Sequence, residues 1–423
     1  MHRADKEYKA YLELLREELV PAMGCTEPIS LAYAAACARE LLGCLPDRVE
    51  VEASGSIIKN VKSVVVPNTG GARGISVAAA AGIVAGRADR LLECLADVTE
   101  AQIEEMRDFM QRVPISLKPL NDGHIFDIFV SVCAGEHSAK VRIVEHHTNV
   151  VYKEKDSQVL LDELSQPGEE DKSHSFMSME GIWDFVHSAE LSDVEAILQR
   201  QIDCNMAIAR EGLERLYGAG VEQTILDFSD ESVATRAKAW AAAASDARMN
   251  GCEMPVVINS GSGNQGITAS VPVVIYAEEL KCGRDTLLRA LLVSNLVTLY
   301  AKSGVGRLSA FCGAVCAGAG AGAGIAYLHG ADFELVSQTV VNALAVVAGV
   351  ICDGAKSSCA AKIDVAVNAG IFGYRMASAG RRFQAGEGIV SAGVEETIRN
   401  VGRLAREGMR ETNIEIINMM SEN

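Results

Sequence analysis

The stretch I-C-D-G-A-K-S-S-C-A-A-K, residues 351–362, places two cysteines on either side of a turn signal. Cys352 and Cys359 are seven positions apart, which corresponds to roughly 10 Å along one unbroken helix. That distance is too large for both sulfurs to bind one small metal centre. Gly354 between them predicts that one helix ends near Cys352 and that another begins before Cys359. The two thiols then face one point beside a new helix N-terminus, which favours thiolate.

A third cysteine, forty residues upstream of Cys352, is predicted to join this pair. Cys312 lies in G-R-L-S-A-F-C-G, residues 306–313, a turn of small residues that precedes an apolar run. The chain has no Cys-x-x-Cys, and only His329 lies near this group, which disfavours a finger-type zinc site. All-thiolate ligation favours zinc or an iron–sulfur cluster. Cys316 would share a helix face with Cys312 and is therefore an alternative ligand.

The composition indicates a globular protein of two or three domains. The chain has 423 residues, 49% of them hydrophobic, and only 9 prolines. Its 39 basic and 56 acidic residues give a formal net charge of −17, which disfavours nucleic acid and anionic membrane as partners. A bound anion would therefore have to be met by a local site.

The twelve cysteines do not have the spacing of a small disulfide scaffold. The first residues are charged and no apolar signal-peptide core follows them, so the expected location is the cytoplasm, with reduced thiols. Two apolar stretches, 271–277 and 311–328, resemble membrane spans, but the first is short and the second consists mostly of glycine and alanine. Both are predicted to be buried, and the alternating Ala-Gly run 317–324 is predicted to be a tightly packed core helix.

The predicted fold class is α+β, a mostly helical body with an inserted α/β domain. Residues 46–155 mix period-two segments with helices and form the inserted domain, and the polar residues 156–179 form a linker or mobile loop. Residues 1–45 are helical and are predicted to pack with the helical catalytic body, residues 180–423. Surfaces rich in small residues are compatible with a homodimer.

Local signals within these units predict a turn at Ser54-Gly55 and a short buried strand at 64–66. Ser192 and Glu195 match a capping box ahead of an amphipathic helix. Pro272 is predicted to interrupt the segment after the strand-like residues 256–258.

Two glycine-rich loops are candidate anion sites. The sequence G-S-G-N-Q-G, residues 261–266, matches the dinucleotide pattern, but Pro272 follows six residues later and the next acidic pair comes too early. A loop whose backbone amides hold a small carboxylate is therefore favoured, with a purely structural turn as the alternative. Residues 68–71, N-T-G-G, form a second loop of the same kind.

Cys25, Lys59 and His147 are further candidates. Cys25 lies in P-A-M-G-C-T-E-P, residues 21–28, a constrained loop beside a helix start, where the pKa of a thiol falls. His147 falls at a predicted strand end, where its side chain can point into a cleft, and a structural role is the alternative. Lys59 precedes Asn60 in a comparable position.

Four of these segments together resemble the L-cysteine desulfidase family, which is related to the alpha chain of iron–sulfur L-serine dehydratases and includes many uncharacterised members. The matching segments are residues 21–28, 261–266, 306–313 and 351–356. The resemblance covers almost the whole chain. It implies a [4Fe–4S] cluster bound by Cys312, Cys352 and Cys359, with Cys25 as the catalytic base. In the serine dehydratases the last two ligands stand further apart, so the substrate is either L-cysteine or L-serine.

The expected reaction is β-elimination from a small amino acid. Three protein thiolates leave one iron open as a Lewis acid, and Cys25 removes the Cα proton. Aminoacrylate then hydrolyses to pyruvate and ammonia, with hydrogen sulfide as the other product from L-cysteine, and no PLP is needed. The candidates for binding the substrate are Asn68, Thr69, Gly70, Ser262, Gly263, Asn264 and Gln265.

Three alternatives stay open beside the cysteine lyase. The first is an L-serine dehydratase, which converts L-serine to pyruvate and ammonia. The second, from another class, is a thiol-based metal or redox sensor without turnover. The third is a zinc hydrolase, which would contain zinc and would be insensitive to oxygen.

Overall fold

The computed structural model of the protein describes residues 1–120, 122–164, 175–306 and 308–422. It confirms the α+β class, with a helical body and one mixed sheet of six strands. Residues 165–174 of the predicted linker lie outside the described residues, as does Arg307 in the segment before Cys312. The predicted domain boundaries stay a prediction.

The helices of the described residues are α1 (Lys6–Glu18), α2 (Thr26–Leu42), α3 (Gly55–Val61), α4 (Ile75–Val84), α5 (Glu100–Arg112), α6 (Met179–Ser188), α7 (Leu191–Glu214), α8 (Val221–Phe228), α9 (Val233–Met249), α10 (Gly263–Glu279), α11 (Arg284–Ser303), α12 (Ala314–Leu328), α13 (Phe333–Val347), α14 (Ser358–Ser378), α15 (Val394–Arg403) and α16 (Arg410–Glu422). The strands are β1 (Pro21–Met23), β2 (Arg48–Ser54), β3 (Ile115–Leu120), β4 (Asp127–Ala134), β5 (His137–Val144), β6 (Val150–Lys155), β7 (Gln158–Asp162) and β8 (Pro255–Val257).

The six-stranded sheet has the order β3-β2-β4-β5-β6-β7. Only the β2–β3 pair is parallel, and the other neighbours are antiparallel. The period-two pattern expected within residues 46–155 is present in β2, where Val49, Val51 and Ala53 are fully buried and alternate with more exposed residues. Helix α2 packs on β4 and β5, so the N-terminal helices contact the sheet as well as the helical body.

A second, two-stranded sheet links distant parts of the chain. Strand β1 pairs antiparallel with β8, with Pro21 opposite Val257 and Met23 opposite Pro255. Strand β1 leads directly into the loop of Cys25, and β8 leads into the glycine-rich loop before α10. This pairing therefore places two predicted site segments side by side, although more than 230 residues separate them.

Several local predictions differ from the structure. Ser54-Gly55 begins helix α3 instead of forming a turn, because the Ser54 hydroxyl accepts a hydrogen bond from the Ile57 amide and Ile57 packs in the core. Residues 64–66 form only an isolated bridge, from Val65 to Arg73. Pro272 lies inside the continuous helix α10, where burial of nearly every neighbour outweighs the lost backbone hydrogen bond.

The predicted capping box is also unused. Helix α7 begins at Leu191, one residue before Ser192. Glu195 instead forms an ion pair with Arg284, with nitrogen and oxygen 2.9 Å apart. Tertiary contacts therefore replace the local cap.

The Ala-Gly run forms the buried helix α12, as predicted. A β-carbon on Gly318 would overlap the backbone of Ala366 in α14, and one on Gly370 would overlap the backbone of Gly318. The two helices therefore touch backbone to backbone. Within the described residues, no helix is both long and apolar enough to span a bilayer.

Gly318→Ala is expected to destabilise the protein by about 1–3 kcal/mol, because α12 and α14 must move apart. Urea unfolding followed by circular dichroism measures the change. Gly349→Ala is the matched control, since a β-carbon there meets no atom within 4 Å. Equal stability of the two variants would contradict close backbone packing.

Candidate functional site

The three cysteines of the predicted cluster surround one cavity. The backbone amide of Cys312 donates to the carbonyl of Val350 at 3.0 Å, and that of Cys352 donates to the carbonyl of Ala310 at 2.6 Å. This short antiparallel contact holds two of the thiols on adjacent segments. Cys359 is the second residue of α14 and completes the group.

The turn predicted at Gly354 is present. Helix α13 ends at Val347, and α14 begins at Ser358. Gly354 has a φ of +94°, and a β-carbon there would lie 2.8 Å from the carbonyl oxygen of Lys59. Both the backbone conformation and the close approach therefore require glycine.

The cavity has a volume of about 100 Å³, which is room for several water molecules. Segments from five separate parts of the chain form it, within residues 25–27, 60, 248–265, 302–314 and 352–363. The lining residues that matter for chemistry are Cys25, Thr26, Glu27, Asn60, Arg248, Ser262, Asn264, Gln265, Cys312, Cys352 and Cys359.

Burial disfavours the thiolate form of Cys312 and of Cys359. Burial raises the pKa of Cys312 to about 12, with the neighbouring Cys352 and Cys359 adding to the shift. Burial also raises the pKa of Cys359, in spite of its position at the start of α14 and the nearby Lys356. Burial therefore opposes the thiolate that was predicted at this helix N-terminus.

The donor set fits an iron–sulfur cluster. Among the described residues, no three His, Cys, Asp or Glu side chains are close enough to hold a single metal ion. The three thiols instead border a shared cavity, and a metal centre would deprotonate them on binding. Lys362 adds positive charge, since its ammonium donates to the Ile351 carbonyl at 2.9 Å and pairs with Asp353.

Cys316, the alternative ligand, is fully buried on α12 and is not among the residues lining the cavity. Burial raises the pKa of its thiol to about 12. These surroundings are those of a core cysteine.

Cys25 lies across the same cavity and contacts a buried carboxylate. Its thiol donates to Oε2 of Glu27 at 3.1 Å. The same oxygen accepts from the Thr26 hydroxyl at 3.1 Å, and Oε1 accepts from the Asn60 amide at 2.9 Å. Three donors therefore fix the Glu27 carboxylate beside the thiol.

The pKa of Cys25 is shifted in the direction opposite to the prediction. Burial and the Glu27 charge raise the pKa of Cys25 well above its ordinary value. Burial alone would raise the pKa of Glu27 too, but His147, the Cys25 hydrogen bond and Arg248 lower it overall. These shifts favour a Cys25 thiol beside a Glu27 carboxylate, not the thiolate expected from the helix start.

The glycine-rich loop at 261–266 contributes side chains and helix amides. Ser262 precedes α10, so the first amides of that helix have no partner within it. Asn264 Oδ1 accepts from Nη1 of Arg248 at 3.1 Å. Gly263 leaves the space that this guanidinium occupies, because a β-carbon there would overlap Nε of Arg248.

The structure does not bring the second glycine-rich loop into the cavity lining. The Asn68 amide donates to the Leu95 carbonyl at 2.6 Å, and the Thr69 hydroxyl donates to the Val66 carbonyl at 2.7 Å. Gly70 has a φ of +67° and lies near Arg107. In this conformation all three residues shape a turn.

Lys59 and His147 lie behind the cavity wall. The Lys59 ammonium donates to Oδ1 of Asn413 at 2.8 Å and to the carbonyl of Cys352 at 3.4 Å, and burial lowers its pKa. His147 is buried, and its charge interaction with Glu27 lowers the pKa of that carboxyl group. The backbone carbonyl of His147 accepts a hydrogen bond from the Ser30 hydroxyl. Both residues can influence the site without lining it.

Sequence reasoning missed Glu27, Asn60 and Arg248. Glu27 stands in the segment that singled out Cys25, and Asn60 follows Lys59 directly. Arg248 ends an alanine-rich helix, where an arginine is ordinarily exposed. No local pattern distinguishes these residues from surface ones.

The comparison with known families places the protein in the serine-dehydratase-like class. A family model described as "Serine dehydratase alpha chain" matches residues 89–418. The chain belongs to this family.

Relatives match the protein along nearly its whole length. A UPF0597 protein of Desulfitobacterium hafniense is 51% identical over 422 residues, covering 99% of this chain and 98% of the relative. A UPF0597 protein of Lachnoclostridium phytofermentans is 47% identical over 414 residues, which cover 98% of this chain and 99% of the relative. A UPF0597 protein of Finegoldia magna is 45% identical over 417 residues, which cover 98% of this chain and 100% of the relative.

Proposed function

We propose that the protein is an iron–sulfur-dependent lyase that converts L-cysteine to pyruvate, ammonia and hydrogen sulfide. The observation that carries the proposal is the cavity that Cys25 shares with Cys312, Cys352 and Cys359. L-Serine is the second candidate substrate, favoured by the description of the family model. Both substrates lose a β-substituent by the same chemistry.

A [4Fe–4S] cluster held by Cys312, Cys352 and Cys359 would supply a Lewis acid for the departing thiol or hydroxyl group. Cys25 takes the Cα proton as general base, after passing its own proton to the Glu27 carboxylate. The Cα–H electron pair forms the Cα–Cβ double bond, and the Cβ–S bond breaks with its pair on sulfur. Water then hydrolyses the released aminoacrylate to pyruvate and ammonium.

The remaining polar residues hold the reacting groups in place. Asn60 and Thr26 fix the Glu27 carboxylate, and Ser262, Asn264 and Gln265 border the space for the substrate. Cys25 is buried, so the proton transfers take place away from bulk water. These residues complete the proposed chemistry without PLP.

The protein's surroundings are also proposed. All twelve cysteines lie within the described residues and are free thiols, which agrees with a reducing cytoplasm. A small amino acid is the proposed partner, and a homodimer is the proposed assembly.

Anaerobic purification followed by iron, sulfide and zinc analysis tests the proposal, together with pyruvate and sulfide assays on both amino acids. We expect iron and acid-labile sulfide, with pyruvate formed from L-cysteine and sulfide in equal amount. Pyruvate from L-serine alone would identify the second candidate. Cluster without turnover would support a sensor, and zinc without iron would contradict the cluster.

A further inference from the structure

Three buried polar atoms, each on a residue that lines the cavity, have no hydrogen-bond partner among the described residues. They are Oδ1 of Asn60, Nε of Arg248 and Oε1 of Gln265. The three side chains are only 6%, 3% and 5% exposed, respectively. An unpaired buried polar group costs about 1–3 kcal/mol, so such a set indicates a ligand that satisfies it.

The unpaired atoms comprise one cationic donor and two neutral acceptors. Arg248 can only donate, whereas the amide oxygens of Asn60 and Gln265 accept. An α-amino acid zwitterion has the complementary groups, a carboxylate that only accepts and an ammonium that only donates. The pattern matches this ligand class and does not match an anion alone or an amine alone.

The guanidinium of Arg248 is held in position before any ligand arrives. Its Nη1 donates to Asn264, and the space left by Gly263 sets it against the start of α10. The unbonded first amides of α10 add donors beside it. A guanidinium and a helix N-terminus together are a donor set that suits a carboxylate.

The two acceptors are fixed as well. The Asn60 amide nitrogen donates to Glu27, which turns its oxygen away from that carboxylate. Gln265 packs against Gly313, where a β-carbon would lie 2.6 Å from its Cδ atom. Since Asn60 is bonded to Glu27, an ammonium that met its oxygen would lie on the side of the cavity that holds the Cys25–Glu27 pair.

We propose that Arg248 binds the substrate carboxylate, that Asn60 and Gln265 bind the substrate ammonium, and that the site thereby selects free α-amino acids. The identity of the substrate rests on the proposed lyase function, whereas the binding experiment that tests the proposal does not need turnover. Amides, esters and N-acylated amino acids are excluded as ligands, since each loses one of the two charged groups.

Binding of L-alanine to the full chain tests the proposal, because L-alanine has both charged groups and no β-substituent to lose. L-Alaninamide and propionate each lack one charged group, and isothermal titration compares the three. We expect L-alanine to bind at least about tenfold more tightly than either, the size of one charged hydrogen bond. Absence of binding, or equal binding of all three probes, would overturn the proposal.

Arg248→Met is expected to weaken L-alanine binding by about 10–100-fold and to leave L-alaninamide unchanged. Gln265→Met should weaken L-alanine but not propionate. Arg289→Met is the control, since this half-buried arginine contacts the Val186 and Ala189 carbonyls outside the cavity. Unchanged discrimination in folded Arg248→Met would overturn the proposal.

If Arg248→Met fails to fold, Arg248→Lys gives the same test, because an ammonium cannot make the forked contact of a guanidinium. Wild-type discrimination in this lysine variant would also count against Arg248. Failures of the two proposals are distinguishable. Arg248-dependent L-alanine binding without pyruvate production removes only the lyase, whereas pyruvate production with an unchanged KM in Arg248→Met removes only this inference.

Discussion

Cys352→Ser is expected to lose bound iron and lyase activity together. The thiol borders the cavity with Cys312 and Cys359, and two ligands cannot replace three. Loss of a single outer-shell partner already costs 10–100-fold in metal affinity, so loss of a ligand should cost more than about 100-fold. Iron and acid-labile sulfide per chain, measured after anaerobic purification, give the result directly.

Cys316→Ala is the matched control for this variant. Cys316 is near the group in sequence and is buried, but it is not among the residues lining the cavity. We expect it to retain iron and activity, with at most a loss of stability from the small core cavity. Iron retained in Cys352→Ser, or lost in Cys316→Ala, would require a different ligand set.

Cys25→Ala and Glu27→Gln are each expected to lower kcat at neutral pH by about 10²–10⁴-fold, the usual contribution of a general base. Their pH profiles should differ. Since the pKa of Cys25 is raised and that of Glu27 is lowered, the wild type holds a thiol beside a carboxylate at neutral pH. Cys25→Ala keeps the Glu27 carboxylate but lacks the thiol that takes the Cα proton, so its activity should not recover at any pH.

Glu27→Gln removes a negative charge that raises the pKa of Cys25, so that pKa should fall. The thiolate then forms by loss of a proton to solvent, and activity should partly recover as the pH rises. Glu222→Gln, which changes another buried glutamate, and Cys94→Ala, which changes another buried cysteine, are the controls. Identical pH profiles of Glu27→Gln and the wild type would exclude a role for Glu27.

The chain sequence predicted those features whose cause is local. Gly354 between two cysteines predicted a turn that needs a positive φ, and the turn is present. The Ala-Gly run predicted close backbone contact, and the spacing of Val49 and Val51 predicted a strand buried on one face. In each case one residue type has few structural alternatives.

Features that depend on distant partners were not predictable in the same way. Pro272 stays within a helix because the surrounding core is dense, and Ser54 caps a helix instead of closing a turn. Burial raises the pKa of Cys25, which the sequence predicted to be lowered. Nothing near Arg248 in the sequence marks this residue as buried. Burial and charge at these positions arise from segments that meet only in the folded protein.

Helix α3 belongs to the sheet-bearing part of the chain, yet it supplies Asn60 to the cavity and Lys59 to the backbone of Cys352. The sheet-bearing part and the helical body therefore both contribute residues to the same cavity. If Asn60 binds the substrate as proposed, a chimera that exchanged this part with a relative would also exchange that contact. We expect the ligand specificity of a parent protein only when both parts come from that parent, and neither part alone should confer it on a chimera.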